Sequence, residues 1–570
     1  MKHKRMGLIL SAPLIFVLLS GLVPSAGWAA ESVYEVLNPR GAAPEIKQVP
    51  LSPRPQDLNG KVVYVIDSGV YGAYIFTKKV AELLPKYAPG VKVVYKNKPS
   101  IYSTSDPPLW EEVAKNGNAF IYGPAGGTSG FVYGGLWSVL LEKKGAPGVY
   151  VLSEGYEQAV QMACKGEGMP QLRRVVTPMP PWGDETLDKH IDRIMKQIVE
   201  SLAAPLKEEE KKAGVIAQEK VARVALKGTL AEVQKYFYNQ RWTDGLPIIP
   251  PTEESVASML KGTSHRPEEI VTKAMLPQKW TATVENVAVN AVMAGCKPAD
   301  MPLLLAMVEA FSKGGYASTV VSANSFSFMV VVNGPIAKAI GMNGDVNALG
   351  PGNQANATIG RALRLFLTNL GGLNPGTNLM ACLGNPTNYS FAFSENEEAS
   401  PWEPFHVSRG FKKEESVVTI FTGGWNHGGN RTGVDGQPFS LDYIIEVIRA
   451  FQLPNGAAIL LSPPLAKLIQ KEKKFGKQDL QKYLWESTLK TAAEFRSDPQ
   501  YSTFIKPFLG VDDKEKPWPG WYLNADPGKM VQVYAGSQFI YPIVVGGENF
   551  DGFQAWSMSR PSSVSVDKWR

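Results

Sequence analysis

The chain has 570 residues, a formal net charge of +6 and 20% charged residues, a length that implies two or three domains rather than one core. The near balance of charge, without a basic stripe, argues against nucleic acid as a partner. Three cysteines, Cys164, Cys296 and Cys382, are too few and odd in number for a disulfide-stapled scaffold, so stability has to come from packing.

Residues 1–30 read as a cleavable signal peptide. Lys2, Lys4 and Arg5 form a charged start, Gly7 to Val23 an apolar run containing Pro13, and Ser25 to Ala30 a small-residue cleavage region. The run falls short of a bilayer span, although an uncleaved anchor stays open. The expectation is a periplasmic or secreted protein with no stable membrane anchor. Loss of the three charges of Lys2, Lys4 and Arg5 would take the net charge from +6 to +3.

From Leu37 to Pro55 the chain is extended and proline-rich, and a first domain follows over residues 58–180. Apolar runs at Lys61–Asp67, Val91–Lys96, Ala119–Gly123, Val149–Ser153 and Arg173–Pro178 read as strands. The stretches between them, Ala73–Tyr87, Pro108–Asn116, Thr128–Lys144 and Tyr156–Gly166, read as helices. Strands this apolar imply a doubly wound parallel sheet of flavodoxin type, whose ligands sit beyond the carboxyl ends of the strands. Asp67 and the turn Gly123–Gly130 are therefore substrate-binding candidates. Thr128 or Ser129 opens a helix whose free N–H groups could take a carboxylate or phosphate, and a plain glycine turn with a hydroxyl cap is the alternative. The turn is neither the phosphate loop nor the dinucleotide fingerprint.

The strand ending at Asp67–Gly69, the turn Gly123–Thr128, the helix ending at Glu142–Gly145 and Ser153–Glu154 resemble the UGSC family over residues 60–180. That family is named for a selenocysteine (or cysteine)–Gly–Ser–Cys motif at this turn, and the resemblance implies redox chemistry resting on the two chalcogens. Here the turn holds Pro124, Ala125, Gly126 and Gly127. Without a thiol it cannot run thiol–disulfide exchange, so the domain is expected to bind substrate or to support its neighbour.

Residues 181–228 read as a charged helical linker, or an arm packed on one of the domains, and 229–562 as a larger α/β domain. Arg241–Thr252, Gly350–Arg361 and Phe391–Val407 resemble a large domain that accompanies UGSC-like modules, a resemblance that fixes no reaction. The similar helices Met301–Phe311 and Leu441–Phe451 each precede a similar strand–helix unit, Val330–Ile340 and Ala458–Ile469, which suggests an internal duplication. Two α/β units about a pseudo-twofold axis would bring Cys296 and His427 to related ends of two sheets, facing one cleft. Val531–Gly547 reads as two strands around the turn Ala535–Gln538 and would complete the cleft wall.

The stretch Phe391–Val407 gathers Glu395, Glu397, Glu398 and Glu403 with Trp402 and His406. Exposing its aromatic side chains would cost ~25 cal/mol per Å², so the turn should lie against a core edge, where pockets form. Crowding raises a carboxyl pKa, and a histidine beside carboxylates works as acid or base near neutral pH. Glu397, His406 and His427 are thus catalytic candidates, with a salt-bridge cluster on Arg409 or Arg361 as the alternative. Cys296, before Lys297 and a helix start, is a fourth, because such a setting favours a thiolate. Cys164 and Cys382 read as core residues, His190 and His265 as solvated. Asn353, Asn356 and Arg361 could orient a substrate carboxylate, and Trp402 and Asn426 are further binding candidates. No cofactor is expected. A divalent metal on Glu397, Glu398 and His406 stays open, although zinc-site spacings are missing.

These readings favour an exported enzyme acting on a small, carboxylated organic molecule by acid–base or nucleophilic chemistry of lyase, hydratase or hydrolase type. The alternatives are a periplasmic small-molecule-binding protein and a thiol-redox protein using Cys296. Whether the chain forms a homo-oligomer is left open.

Overall fold

The computed structural model describes residues 31–70, 72–178, 184–217, 221–429, 440–451, 455–498, 501, 505–510 and 518–570. The signal peptide read at residues 1–30 lies outside them.

The first domain is built on five parallel strands, Val62–Asp67, Lys92–Asn97, Ala119–Tyr122, Gly148–Ser153 and Arg174–Thr177. Their spatial order is second, first, third, fourth, fifth, so the direction of winding reverses between the first and third strands. Every residue of the third and fourth strands is buried, because helices cover both faces. Helices Pro107–Asn116, Gly127–Lys143 and Glu157–Gly166 pack on one face. Helices Ala73–Tyr87 and Asp184–Ala203 pack on the other through Phe76, Val80, Ile194, Met195, Ile198 and Leu202. Of the two readings of this stretch, linker or arm packed on a domain, the second holds over Asp184–Ala203, which packs on the first domain. Its apolar residues recur at helical spacing and have to be buried somewhere.

The first described strand belongs to the second domain, not to the parallel-sheet domain. Strand Val33–Leu37 pairs antiparallel with Val224–Thr229, and Val36 and Leu37 are buried in the second domain's core. Ile46–Gln48 then pairs with Gly214–Ile216. Entering and leaving segments run side by side as two short ribbons, which form the neck between the domains.

The second domain holds one sheet of six strands, in the order Ala392–Ser394, Ser327–Asn333, Val417–Gly429, Phe553–Ser565, Ala457–Leu461, Ile540–Val544. The outermost pairing on each side is parallel and the three central pairings are antiparallel. Each half thus repeats one pattern, a short edge strand, a buried strand and a 13-residue strand, and the two long strands meet at the centre. The halves correspond to the duplicated segments, but they form one continuous sheet rather than two.

Alternate residues of that sheet face opposite ways. Val330, Val332, Val418 and Ile420 pack under helices Val284–Ala294, Met301–Lys313 and Gln354–Asn369. Ile459, Leu461, Val544 and Ala555 pack under Asp442–Arg449, Pro463–Lys473 and Lys477–Ser487. On the opposite face, Met329, Phe393, Phe421, Leu460, Ile543 and Trp556, one from each strand, share a single core. A sheet can fill its own inner face only by curling. Its edges come back together where Asn396 N–H donates to Val544 O and Gly546 N–H to Gly344 O, both at 2.8 Å. The expected pair of strands around Ala535–Gln538 is not a hairpin: Met530–Gln532 pairs with Leu489–Thr491, whereas Ile540–Val544 is the edge of the large sheet.

Candidate active site at the glutamate turn

The parallel neighbours Ser327–Asn333 and Ala392–Ser394 end side by side, the first running into Gly334 and the second into Glu395, Asn396 and Glu397. Gly334 has φ of +80°, and a Cβ there would lie 2.1 Å from Glu415 O. Only glycine allows this turn, and the turn aims Gly334 N–H at Glu397 Oε1, 2.8 Å away. The Asn333 amide bridges the two carboxylates, donating to Glu395 Oε2 at 2.6 Å and Glu397 Oε1 at 2.8 Å. Phe405 N–H also donates to Glu395 Oε2, at 2.5 Å, while Lys477 Nζ faces Glu395 Oε1 at 3.3 Å. Glu395 and Lys477 are both buried.

Glu397 differs from Glu395 in reaching open space. About a quarter (24%) of its side chain is exposed, in a cavity of about 390 Å³ lined also by Lys338, Asn343, Asp345 and Lys413. Its Oε2 accepts no hydrogen bond from a described residue. Behind it lies His406, fully buried, with Nε2 3.1 Å from Lys412 O and 3.3 Å from Lys413 O. Carbonyls only accept, so Nε2 carries a proton and Nδ1 is the ring's open position. Nδ1 has no hydrogen-bond partner and lies 3.8 Å from Glu397 Oε1. A carboxylate with one oxygen anchored, the other free in a cavity and an imidazole nitrogen behind it can accept, hold and return a proton.

The other candidates do not join this group. Cys296 packs with Sγ 3.5 Å from Thr358 O; burial, and then Asp300, push its thiol upward, so it stays protonated. The thiolate expectation fails because burial and the Asp300 carboxylate both disfavour the charged form, and the opposing pull of Arg361 does not offset them. Arg361 is forked onto Asp244 at 2.8 and 3.0 Å and donates to Pro247 O, so its donors serve the fold. Asn353 caps the helix Gln354–Asn369 by accepting from Asn356 N–H at 2.9 Å. Asn356 is buried and ties Asn343 and Ala348, which sets the cavity wall rather than a substrate. Trp402 is a core residue donating to Phe475 O. Glu398 lines the same cavity but is exposed and paired with Lys338 at 3.1 Å, and Arg409 bonds Pro561 O, so neither bonds Glu397. Asn426 is exposed on a long strand opposite Trp556. The backbone of His427 pairs with Ala555; its side chain lies outside the described residues.

In the first domain, Asp67 accepts from Gly69 N–H and the Tyr95 hydroxyl, and burial pushes its carboxyl upward. Thr128 and Ser129 are buried, with the Ser129 and Tyr102 hydroxyls 3.0 Å apart. A Cβ on Gly127 would lie 3.2 Å from that of Ala323, so the turn abuts the second domain. Cys164 is buried and its thiol is pushed up to about 12 by that burial. Cys382 is exposed, not in the core. His265 is not free in solvent either, since Nδ1 meets Glu269 at 2.9 Å and the ring packs on Trp569. Among the described residues no three His, Cys, Asp or Glu side chains gather as a metal site.

Asn333 and Lys477 escaped the sequence reading. Asn333 stands at the small polar position closing a repeated apolar strand, which was a usable signal. Lys477, beside Gly476 in a lysine-rich stretch, resembles surface charge, and nothing local marks it as buried.

A model of the UGSC family matches residues 35–204, and the N-terminal domain is UGSC-like. The match extends beyond residues 60–180 to take in the helix Asp184–Ala203. No curated protein and no solved structure matches the chain. Among the described residues no helix is long and apolar enough to cross a membrane.

Proposed function

We propose that this chain, a UGSC-like domain joined to a larger α/β domain, is an exported enzyme that moves a proton on a small carboxylated molecule, in the manner of a lyase or hydratase. Glu397 is the catalytic base: its free Oε2 takes a proton from a carbon next to the substrate's carboxylate, the C–H electron pair forms a double bond to the carboxyl carbon, and the C=O electrons move onto the carboxylate oxygen. The same proton, returned to a departing hydroxyl or to a neighbouring carbon, completes the step. His406 is a positioning residue, its Nδ1 stabilising the proton on Glu397. Lys413, in no ion pair among the described residues and lining the cavity, meets the substrate carboxylate. Proton transfer is favoured over a covalent route because burial and Asp300 push the Cys296 thiol upward and keep it protonated.

The observation that carries this reading is the environment of Glu397, with one oxygen held by Asn333 and Gly334 and an unpartnered His406 Nδ1 at 3.8 Å. The test is a panel of hydroxy and keto acids, scored for thermal stabilisation of the mature protein and for product by NMR. Glu397→Gln should still bind but lose roughly 10²–10⁴-fold in turnover, and His406→Gln should shift the pH profile. Equal turnover by Glu397→Gln and wild type would overturn the reading.

A binding protein is the second reading, and a cavity between the two domains favours it. Binding without turnover of any acid, unaffected by Glu397→Gln, would select it.

A further inference from the structure

Between the domains lies a second cavity, of about 60 Å³, walled by Ile101, Tyr102 and Ser103 of the UGSC-like domain and by residues of the second domain. Among its lining residues none is acidic, and Arg560 is the one charged side chain. Arg560 reaches the cavity through an irregularity in the central pair of strands. Thr422 pairs with Ser559 and Ile420 with Ser562, so Arg560 and Pro561 stand opposite Phe421 alone. Bulges of this kind re-aim a side chain. Arg560 also has φ of +50°, a conformation unusual for a residue with a Cβ and common at ligand clamps.

Its guanidinium is poorly satisfied. The contact it makes among the described residues is from one nitrogen to Gly315 O at 3.4 Å, and no described carboxylate lies within ion-pair distance. Three phenols, Tyr102, Tyr133 and Tyr316, feel its charge, which partly opposes the upward push that burial gives each of them. Thr422, also lining the cavity, is buried with a hydroxyl that has no hydrogen-bond partner. Thr319, Asn324, Ser557 and Ser559 add further polar groups. A partly buried guanidinium without an anion, beside an orphaned hydroxyl, is an incomplete constellation.

We propose that this interdomain cavity binds a small monocarboxylate of two or three carbons, of the 2-hydroxy or 2-oxo acid class. Arg560 takes the carboxylate through its fork of donors, and the Thr422 hydroxyl bonds the oxygen on the second carbon. Size supports the class, since a cavity of about 60 Å³ holds roughly four to six water-sized groups, the heavy-atom count of glycolate or lactate. One cation without a second lysine or arginine suits a single negative charge better than a phosphate dianion. Because both domains supply walls, occupancy also ties them together. The proposal is independent of the role given to Glu397.

The test is calorimetric titration of the full mature chain with glycolate, lactate, pyruvate, acetate and inorganic phosphate. Glycolate, lactate or pyruvate should bind more tightly than acetate. Arg560→Gln should weaken that binding at least tenfold, and Thr422→Val should remove the preference over acetate. Circular dichroism and a cooperative melt establish that each variant is folded; should Arg560→Gln fail to fold, Thr422→Val decides alone. Absence of binding by all the acids, unchanged binding in a folded Arg560→Gln or Thr422→Val, or tighter binding of phosphate than of any acid would overturn the proposal.

Discussion

Lys477 and Glu395 face each other at 3.3 Å with both side chains buried, the lysine from the second half of the large sheet's helices and the glutamate from the first half. Lys477 opens the helix Lys477–Ser487, where the macrodipole disfavours a cation, so Glu395 has to offset both the dipole and the loss of water. Lys477→Met should leave an uncompensated buried carboxylate and cost ~3–5 kcal/mol. The double variant Lys477→Met/Glu395→Gln should regain most of it. Urea unfolding measures both, and a single-variant loss near zero would show that the pair carries no such role.

Gly334→Ala tests the turn that aims an N–H at Glu397. A Cβ there meets Glu415 O at 2.1 Å and the backbone has φ of +80°, so the loss of stability should exceed about 1 kcal/mol and Glu397 should lose its anchor. Gly410 also has positive φ, +91°, but nothing lies near its Cβ position. Gly410→Ala should therefore show the milder backbone effect, with the site intact. Thermal melts and turnover of the two variants side by side check this.

The three thiols differ in reach. Cys164 is buried, burial pushes the Cys296 thiol upward, and Cys382 is exposed. A disulfide reagent at pH 8 should titrate one thiol per chain in the native state, lost in Cys382→Ser, and all three in denaturant. Fast native reaction of Cys296 would revive the nucleophile reading.

Asp67 gives a pH dependence of definite sign. Burial raises its folded pKa above the ordinary 3.8, so the folded state holds the proton more tightly than the unfolded chain. The stability it contributes is fully present below 3.8 and is lost as pH rises from 3.8 through the raised value. Asp67→Asn removes that loss, so relative to wild type the variant should gain stability across this window. Denaturant curves at several pH values measure the difference, and a gain toward low pH would contradict the assignment.

The first domain was legible because parallel strands buried on both faces read as unbroken apolar runs, and Val62–Asp67 through Arg174–Thr177 all lie where those runs fall. The neck was not, since Val33–Leu37 finds its partner only at Val224–Thr229, a pairing that local pattern does not encode. The duplication was visible in its helices and strands, yet a shared central pair of long strands depends on tertiary curling. Within the site, the aromatic content of Phe391–Val407 marked a core edge. The burial of Glu395 rests on Lys477, 82 positions on, and the enclosure of Cys296 on Thr358. Arg361 looked free for substrate because its partner Asp244 lies in a distant loop.

The central claim is that Glu397 moves a proton on a bound organic acid. Its most direct test is proton NMR in deuterium oxide, following exchange of the hydrogen next to the carboxylate of an acid shown to bind. Wild type should replace that hydrogen with deuterium, and Glu397→Gln should bind the same acid yet slow the exchange by roughly 10²-fold or more. Exchange at equal rates in the two proteins would contradict the account.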